Sequence, residues 1–215
     1  FRENDDGLWQ IHAYPGETST FIVECSEETW RNADLDEKSE AESLAYFEDL
    51  FADHLDGYGL KSKQERWRNF RTVKNRNWHF DDVVLVGDAA ASAHFTIGAG
   101  TKMAMEDAIA LWEGFKEHGT DVSAALNRYE MDRRDTVSAL QTAADRSRRY
   151  FENVDRYLHM DPEQFTVHLL TRSGRITYDN LRVRDTGFVD DYDGWFANRV
   201  DGGNPGTLNV ATPPL

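Results

Sequence analysis

The sequence predicts an α+β fold in which strands come first and long helices follow. Three observations predict this order. Extended, partly alternating runs occupy residues 7–14 and 18–24, and strong helical periodicity begins at Asp121. Between them, a short apolar run at residues 83–86 leads into an alanine-rich helix, which adds one strand-helix unit.

The first predicted element is a β-hairpin. Its two runs are GLWQIHAY (residues 7–14) and TSTFIVE (residues 18–24), and Pro15-Gly16-Glu17 separates them as a turn. An isolated hairpin is only marginally stable in water, so we expect further strands to cover it. Cys25 follows directly and is the only cysteine, which excludes an internal disulfide and predicts a buried, inert thiol.

A helix is predicted next, over residues 40–55. It ends at Gly57 and Gly59, which stop the periodic pattern. Its apolar face is formed by Leu44, Phe47, Leu50, Phe51 and Leu55.

Residues 83–112 contain the pattern that is most informative about function. A buried strand is predicted at residues 83–86, the Gly87-Asp88 turn stops it, and Gly98-Ala99-Gly100 precedes a helix. The carboxylate of Asp88 can accept hydrogen bonds from sugar-like hydroxyls, and backbone amides at a helix start can hold an electron-rich oxygen. This arrangement suits a nucleotide-like cofactor.

The C-terminal half is predicted to be helical. Asp121 is a plausible N-cap for one long helix or two, and Asp161-Pro162-Glu163 opens another helix, because proline suits the first helical position. After Arg184 the pattern loses its period and is rich in Gly, Asp and Pro, so an extended tail or linker is expected over residues 186–215.

Composition excludes several functional classes. The 215 residues carry a formal net charge of -15, which argues against a nucleic-acid partner. No run approaches the ~18 apolar residues of a membrane span, so no membrane partner is expected. The single cysteine fits a reducing cytoplasm. The seven histidines lack metal-ligand spacing, so no metal site is predicted.

Three segments carry a resemblance to a known family. They are TSTFIVEC (residues 18–25), AHFTIGAGTKMAMEDAIAL (residues 93–111) and LLTRSGRITYDNLRVRD (residues 169–185), in addition to the Gly-Asp-Ala-Ala turn at residues 87–90. The chain resembles the FAD-dependent aromatic hydroxylases of the para-hydroxybenzoate hydroxylase-like group. Within it, the chain is most similar to the salicylyl-CoA 5-hydroxylase and 2-aminobenzoyl-CoA monooxygenase group.

The resemblance implies a cofactor, an electron donor and a reaction. Gly87 and Asp88 would contact the ribityl chain of FAD, while the backbone at Gly98, Gly100, Thr101 and Lys102 would face the flavin ring. NADH or NADPH would reduce FAD, and O2 would form a C4a-hydroperoxyflavin that hydroxylates an aromatic substrate, which the resemblance implies is an aryl-CoA thioester. A homodimer is compatible with the resemblance.

The resemblance also implies that part of the FAD site is missing. The ADP half of FAD needs a Gly-x-Gly-x-x-Gly strand-helix, which this sequence does not contain. We therefore expect a C-terminal fragment of an α/β flavoprotein that is inactive alone. Some relatives continue into a fused reductase domain resembling old yellow enzyme. Two alternatives stay open: another FAD-dependent oxidoreductase, such as an epoxidase or dehydrogenase, and a non-catalytic partner-binding or dimerisation module.

His94 is the candidate catalytic residue. In the resembled class, the loop that holds it lies near the substrate ring, and imidazole could donate a proton to a phenolate or a peroxide. The alternative is a histidine that only shapes the loop. Phe95 is expected to line the aromatic pocket. Ala91 departs from the family, which often has a histidine there, and this departure weakens the assignment.

A basic and aromatic stretch precedes the cofactor strand. Arg66, Arg68 and Arg71 could bind the phosphates of a CoA thioester. The alternative is a solvated strand edge that pairs with the abundant acids.

The predicted organisation has four parts: a partial substrate-binding layer of hairpin and helix (1–72), the C-terminal part of the FAD-binding domain (73–118), C-terminal helices (119–185) and the tail (186–215). Within the second part, Glu106 and Asp107 are adjacent acids. Adjacent helical positions point about 100° apart, so we expect a solvent or interdomain contact instead of a shared acid/base site.

Overall fold

The computed structural model describes residues 1–62 and 67–202. The chain divides into two compact units, Phe1–Phe70 and Arg71–Leu215. Helices dominate, and the strands form small antiparallel sheets, which confirms the predicted α+β class. Among the described residues, no helix combines the length and the apolar character needed to cross a membrane.

The first unit is built on a three-stranded antiparallel sheet. Its strands are β1 (Arg2–Asn4), β2 (Gly7–Tyr14) and β3 (Thr20–Cys25), in the order β1-β2-β3. The pairing of β2 with β3 starts with Trp9 opposite Cys25. The predicted hairpin is therefore present, and β1 supplies the additional strand that its stability requires.

Helices cover one face of this sheet through aromatic contacts. Trp9 is fully buried, and its ring centroid lies 5.6 Å from that of Tyr46 and 5.3 Å from that of Phe47. The indole Nε1 of Trp9 donates to Asn4 Oδ1 at 2.9 Å, which satisfies the polar atom of this buried ring. The short helix α1 (Glu27–Asn32) follows the sheet.

The helix predicted over residues 40–55 is divided in two. α2 (Glu40–Leu50) begins with a capping box between Ser39 and Glu42, and α3 (Ala52–Leu55) is a single turn. The division falls at Phe51, which is 1% exposed and packs against Phe21 and Phe47. The backbone of this core residue is not helical, with φ -112 and ψ 18, and the helical periodicity did not reveal the interruption.

Cys25 lies at the end of β3, half-buried and reduced. Burial, with a smaller contribution from the charge of Glu24, raises the pKa of its thiol to about 12. The thiolate is the reactive form of cysteine, so this side chain is unreactive near neutral pH, as expected from the sequence.

The second unit consists mainly of helices. Its elements are β4 (His79–Phe80), β5 (Val83–Val84), α4 (Gly100–His118), α5 (Val122–Glu152), α6 (Pro162–Thr171), α7 (Tyr178–Arg184) and α8 (Thr186–Gly202). Single 3-10 turns occur at Gly87–Ala89, Phe95–Ile97 and Val154–Arg156.

An antiparallel pair of helices, α4 and α5, forms the centre of this unit. Asp121 caps α5 through a hydrogen bond from Ala124 N to its Oδ1 at 3.0 Å, as predicted. The helices approach closely at Gly114, where an added Cβ would lie 2.6 Å from the carbonyl oxygen of Ala125. Only glycine permits this approach, so Gly114 sets the spacing of the pair.

The strand predicted over residues 83–86 is shorter and more exposed than expected. β5 contains only two residues, and Val83 is 63% exposed. Within the described chain, β5 pairs with β4 alone, so one edge of the strand has no neighbour. The prediction of a buried strand is therefore wrong for Val83, because burial of an apolar run depends on partners that are distant in sequence.

The extended tail predicted from residue 186 is wrong for residues 186–202, which form α8. Val189 in α8 is fully buried, and Tyr192, Trp195 and Phe196 follow it at helical spacing. This apolar period outweighs the glycines and aspartates that suggested a tail. Residues 203–215 of the predicted tail lie outside the described residues.

Candidate functional site

The Gly87-Asp88 turn follows β5 and packs against α4. Gly87 is buried with φ +60, and a Cβ there would lie 3.2 Å from the Cβ of Ala104. Both the left-handed conformation and the close contact require glycine. Asp88 is exposed, and its carboxylate makes no hydrogen bond or ion pair with any described residue. Its oxygens are thus available to a ligand.

A buried carboxylate of α4 accepts a hydrogen bond from the backbone of this turn. Asp107 in α4 is 1% exposed, and its Oδ2 accepts a hydrogen bond from Gly87 N at 3.1 Å. Its Oδ1 accepts from Arg133 Nε at 2.7 Å, and Arg133 Nη2 donates to Glu106 Oε2 at 3.1 Å. A buried charge is stable only when it is paired, and here one arginine of α5 pairs with two adjacent acids.

The expected solvent or interdomain contact is wrong for Asp107, which is buried and bonded within the second unit. The two acids share Arg133 as an ion-pair partner, because its long side chain spans the angle between two adjacent helical positions. Asp107 is also the residue that the sequence analysis missed. A signal was present, since Asp107 lies on the same helix face as the buried residues Met103, Ala110 and Gly114.

Other side chains of α5 bind the backbone on either side of the turn. Tyr129 Oη donates to Leu85 O at 3.0 Å, and burial, assisted by Asp107, raises the pKa of this phenol so that it remains a donor. Gln141 Nε2 donates to Val73 O and Ser92 O, each at 2.8 Å. Polar side chains of α5 therefore fix the backbone of the segment that contains the Gly87-Asp88 turn.

The start of α4 presents backbone amides without a side-chain cap. Ala99 is the N-cap and supplies no capping oxygen, and Gly98 before it is left-handed with φ +62. The first amides of a helix, here those of Gly100 to Lys102, have no intrahelical acceptor and lie at the positive end of the helix dipole. Apart from their chain neighbours and the backbone of α4 itself, no described residue has an atom within 4 Å of a Cβ built on Gly98 or Gly100, so space is open beside them.

The loop that carries His94 and Phe95 is held by Arg172, the residue that directly follows α6. His94 Nδ1 lies 3.1 Å from Thr96 Oγ1, and the rings of His94 and Phe95 stack with centroids 4.5 Å apart. Arg172 reaches the same loop, because its Nη2 donates to Thr96 O at 2.9 Å. Its Nε donates to Ser147 Oγ at 2.9 Å, which anchors it to α5. Two of the segments that carry the family resemblance therefore meet at the Arg172–Thr96 contact.

An aromatic cluster lies around the neighbouring part of α6. The ring centroid of His168 is 4.6 Å from that of Tyr157 and 5.5 Å from that of Tyr150. Burial lowers the pKa of His168, which favours the neutral imidazole, and burial also raises the pKa of Tyr150 to about 12. The same burial lowers the pKa of Arg172, which packs over the ring of Phe151.

Two of the basic candidates, Arg68 and Arg71, lie in irregular backbone, not on a strand edge. Arg68 and Arg71 are exposed, and neither forms an ion pair with a described acid. The alternative of a strand edge paired with acids is therefore wrong for these two residues. Arg66, the third candidate, lies outside the described residues. A search of the described chain finds no group of acidic, histidine or cysteine side chains that could hold a metal ion.

Known proteins resemble the chain over most of its length. Residues 5–144 match the family model described as "FAD binding domain". Salicyloyl-CoA 5-hydroxylase from a Streptomyces species is 41% identical, across 94% of this chain and 41% of that protein. Protodeoxyviolaceinate monooxygenase from Chromobacterium violaceum is 41% identical, across 77% of this chain and 45% of that protein.

A third relative shares less sequence identity. 3-Hydroxy-4-methyl-anthranilyl-(aryl-carrier protein) 5-monooxygenase from Streptosporangium sibiricum is 33% identical, across 87% of this chain and 49% of that protein. The chain thus spans less than half the length of each of these three curated relatives.

Proposed function

The chain belongs to the FAD binding domain family, and from this membership we propose that it is part of a flavin-dependent monooxygenase that hydroxylates an aromatic substrate. The observation that carries the proposal is the position of Asp88. This carboxylate is exposed and unpaired among the described residues, on a turn that packs against the helix whose first amides are uncapped. The names of the relatives, which are hydroxylases and monooxygenases, support the reaction type.

The residues present fit the flavin part of FAD. Asp88 would accept hydrogen bonds from the ribityl hydroxyls, and Gly87 permits the turn that exposes it. The amides of Gly100, Thr101 and Lys102 would face an electron-rich edge of the ring, with Gly98 leaving the approach open. When bound, FAD would accept a hydride from NADH or NADPH and supply the chemistry that activates O2.

His94 and Phe95 would serve the reacting substrate. The stacked rings lie on the loop just before the start of α4, and contacts from Thr96 to His94 and to Arg172 fix this loop. We assign to His94 the donation of a proton near the reacting oxygen, and to Phe95 a wall of the aromatic pocket. The alternative role of His94, in which it only shapes the loop, is compatible with the same Thr96 contact.

The substrate class follows from the relatives and from charge. Salicyloyl-CoA 5-hydroxylase is named for a CoA thioester, and the monooxygenase from S. sibiricum for an aryl group on a carrier protein. We infer that this protein acts on an aryl-CoA thioester. Arg68 and Arg71, exposed and without a described acidic partner, would bind its phosphates, and Arg66 belongs to the same proposal.

The location follows from the cofactors. An enzyme that uses NAD(P)H and CoA thioesters, and that carries one reduced cysteine, fits the cytoplasm, so we propose that location.

The first prediction concerns FAD binding by Asp88. Asp88→Asn should raise the Kd for FAD about tenfold or more, because hydrogen bonds to a charged group contribute about 1.5–3 kcal/mol. Asp82→Asn, a change at another exposed acid of the same segment, should leave the Kd unchanged. The Kd of each variant is measured from the quenching of flavin fluorescence as FAD is titrated with protein. Equal affinities in the two variants would remove Asp88 from the site.

The second prediction concerns coupling by His94. His94→Ala should still permit reduction of FAD by NAD(P)H, but the yield of hydroxylated product per NAD(P)H should fall about tenfold or more, with hydrogen peroxide formed instead. His159→Ala alters an exposed histidine and should leave the yield unchanged. The yield is measured by quantifying the hydroxylated product and the hydrogen peroxide formed per NAD(P)H consumed. A fully coupled His94→Ala variant would leave His94 with a role in loop shape only.

The third prediction concerns the substrate. With salicyloyl-CoA as the probe, Arg68→Glu and Arg71→Glu should each raise KM about three- to tenfold, because each replaces attraction to phosphate with repulsion. KM for free salicylate should not change. Arg184→Glu, at an exposed arginine of α7, is the control. Steady-state kinetics measures KM for each variant. An unchanged KM for salicyloyl-CoA in both variants would contradict the proposed phosphate site.

A further inference from the structure

Asp107 occupies a place that none of the expected flavin contacts explains. It lies two helical turns beyond the start of α4 and is 1% exposed, so it cannot itself reach a ligand in solvent. Its Oδ2 accepts from Gly87 N, which is a buried amide at the start of the 3-10 turn that follows β5. A buried amide without an acceptor is costly, so the carboxylate determines where this amide points.

The direction of this amide bears on the next side chain. Gly87 is held in the left-handed region with its N–H toward α4, and Asp88 directly after it is exposed. Ala104 on the same helix closes the space beside Gly87. The turn is thus fixed to α4 by one hydrogen bond and one close contact, and α4 also begins with the uncapped amides.

Arg133 holds Asp107 in turn. Its Nε bonds to Oδ1 at 2.7 Å, so the two carboxylate oxygens have separate partners, one on α5 and one on the turn. The guanidinium side chain is only 9% exposed and also contacts Glu106, whose second partner is Lys102. With a buried ion pair, loss of either member leaves an uncompensated charge, which makes this arrangement hard to deform.

We propose that Asp107 is a positioning residue that, together with Arg133, sets the place of Asp88 relative to the first amides of α4 and so sets the affinity and the environment of the flavin. This inference rests on the proposed function, because it supposes that FAD binds between Asp88 and those amides. It adds a role for a residue that makes no contact with the cofactor.

The test uses the FAD-loaded protein and three variants. Asp107→Ala removes both hydrogen bonds. Glu106→Gln is the matched control, because Glu106 shares Arg133 but does not touch Gly87. In the double variant Asp107→Asn with Arg133→Met, no guanidinium competes for the single amide oxygen, which can turn to Gly87 N. Val189→Ala, in the buried part of α8, gives a variant that is destabilised elsewhere.

Two readouts separate positioning from general stability. The first is hydrogen exchange of peptides that cover residues 83–92, measured without FAD. The second is the Kd for FAD together with the visible circular dichroism of the bound flavin. Asp107→Ala should speed exchange at Gly87, raise the Kd about tenfold and change the dichroism. Glu106→Gln and Val189→Ala should keep the wild-type flavin spectrum, and the double variant should recover most of the affinity.

The contradicting results are distinct. The inference is overturned if Asp107→Ala binds FAD with wild-type affinity and spectrum. It is also overturned if the double variant protects Gly87 from exchange yet binds FAD as weakly as Asp107→Ala. In both cases the proposed function stands. If the unsubstituted full-length protein does not bind FAD at all, the proposed function fails and the inference fails with it. Should Asp107→Ala not fold, the double variant Asp107→Leu with Arg133→Met, which removes the acceptor for Gly87 N without leaving a buried charge, is measured in its place. Wild-type affinity and spectrum in that double variant would overturn the inference equally.

Discussion

A charge buried between two helices must be neutralised, and the second unit of this protein is arranged around one such charge. Asp107 is paired by Arg133 on one side and satisfied by the amide of Gly87 on the other. Because the carboxylate bridges α4, α5 and the turn, the three elements cannot shift independently without leaving a polar group unpaired. The close approach of α4 and α5 at Gly114 keeps the guanidinium within reach.

The same helix, α5, fixes much more backbone than this turn. Tyr129 binds Leu85 O, Glu130 accepts from Trp78 N at 3.0 Å, and Gln141 bridges Val73 O and Ser92 O. Irregular backbone and a two-residue strand cannot satisfy their own polar groups, so side chains of a regular element do so. The backbone that carries exposed side chains, above all Asp88, is thereby held in place without these side chains being covered, as a binding site requires.

Local features of this structure were predictable from the sequence, and features that depend on distant partners were not. The hairpin turn, the Asp121 cap, the proline at the start of α6 and the glycines before α4 each act within a few residues, and each was predicted. Val83 was expected to be buried, but burial depends on neighbouring strands. The break at Phe51 likewise coincides with ring packing against Phe21, which is distant in sequence.

The residues of the candidate site also divide into those that local sequence patterns predict and those that depend on distant partners. Asp88 and the amides after Gly98 follow from a strand-turn-helix pattern, whereas the role of Asp107 needs an arginine 26 residues away to be recognised. Residues 186–202 are rich in glycine and aspartate, which favoured the prediction of a tail. The helical spacing of Val189, Tyr192 and Trp195 instead matches the helix that these residues form. Arg172 belongs to a segment that the family resemblance marked, but only the folded chain reveals that it binds the loop at Thr96.

A crystal structure of the protein with FAD bound tests the central claim most directly. The account predicts that Asp88 accepts hydrogen bonds from the ribityl chain, that the amides of Gly100 to Lys102 face the flavin ring, and that Gly87 N still donates to Asp107. A flavin bound elsewhere, or a Gly87 amide that leaves Asp107 to contact the cofactor, would contradict it.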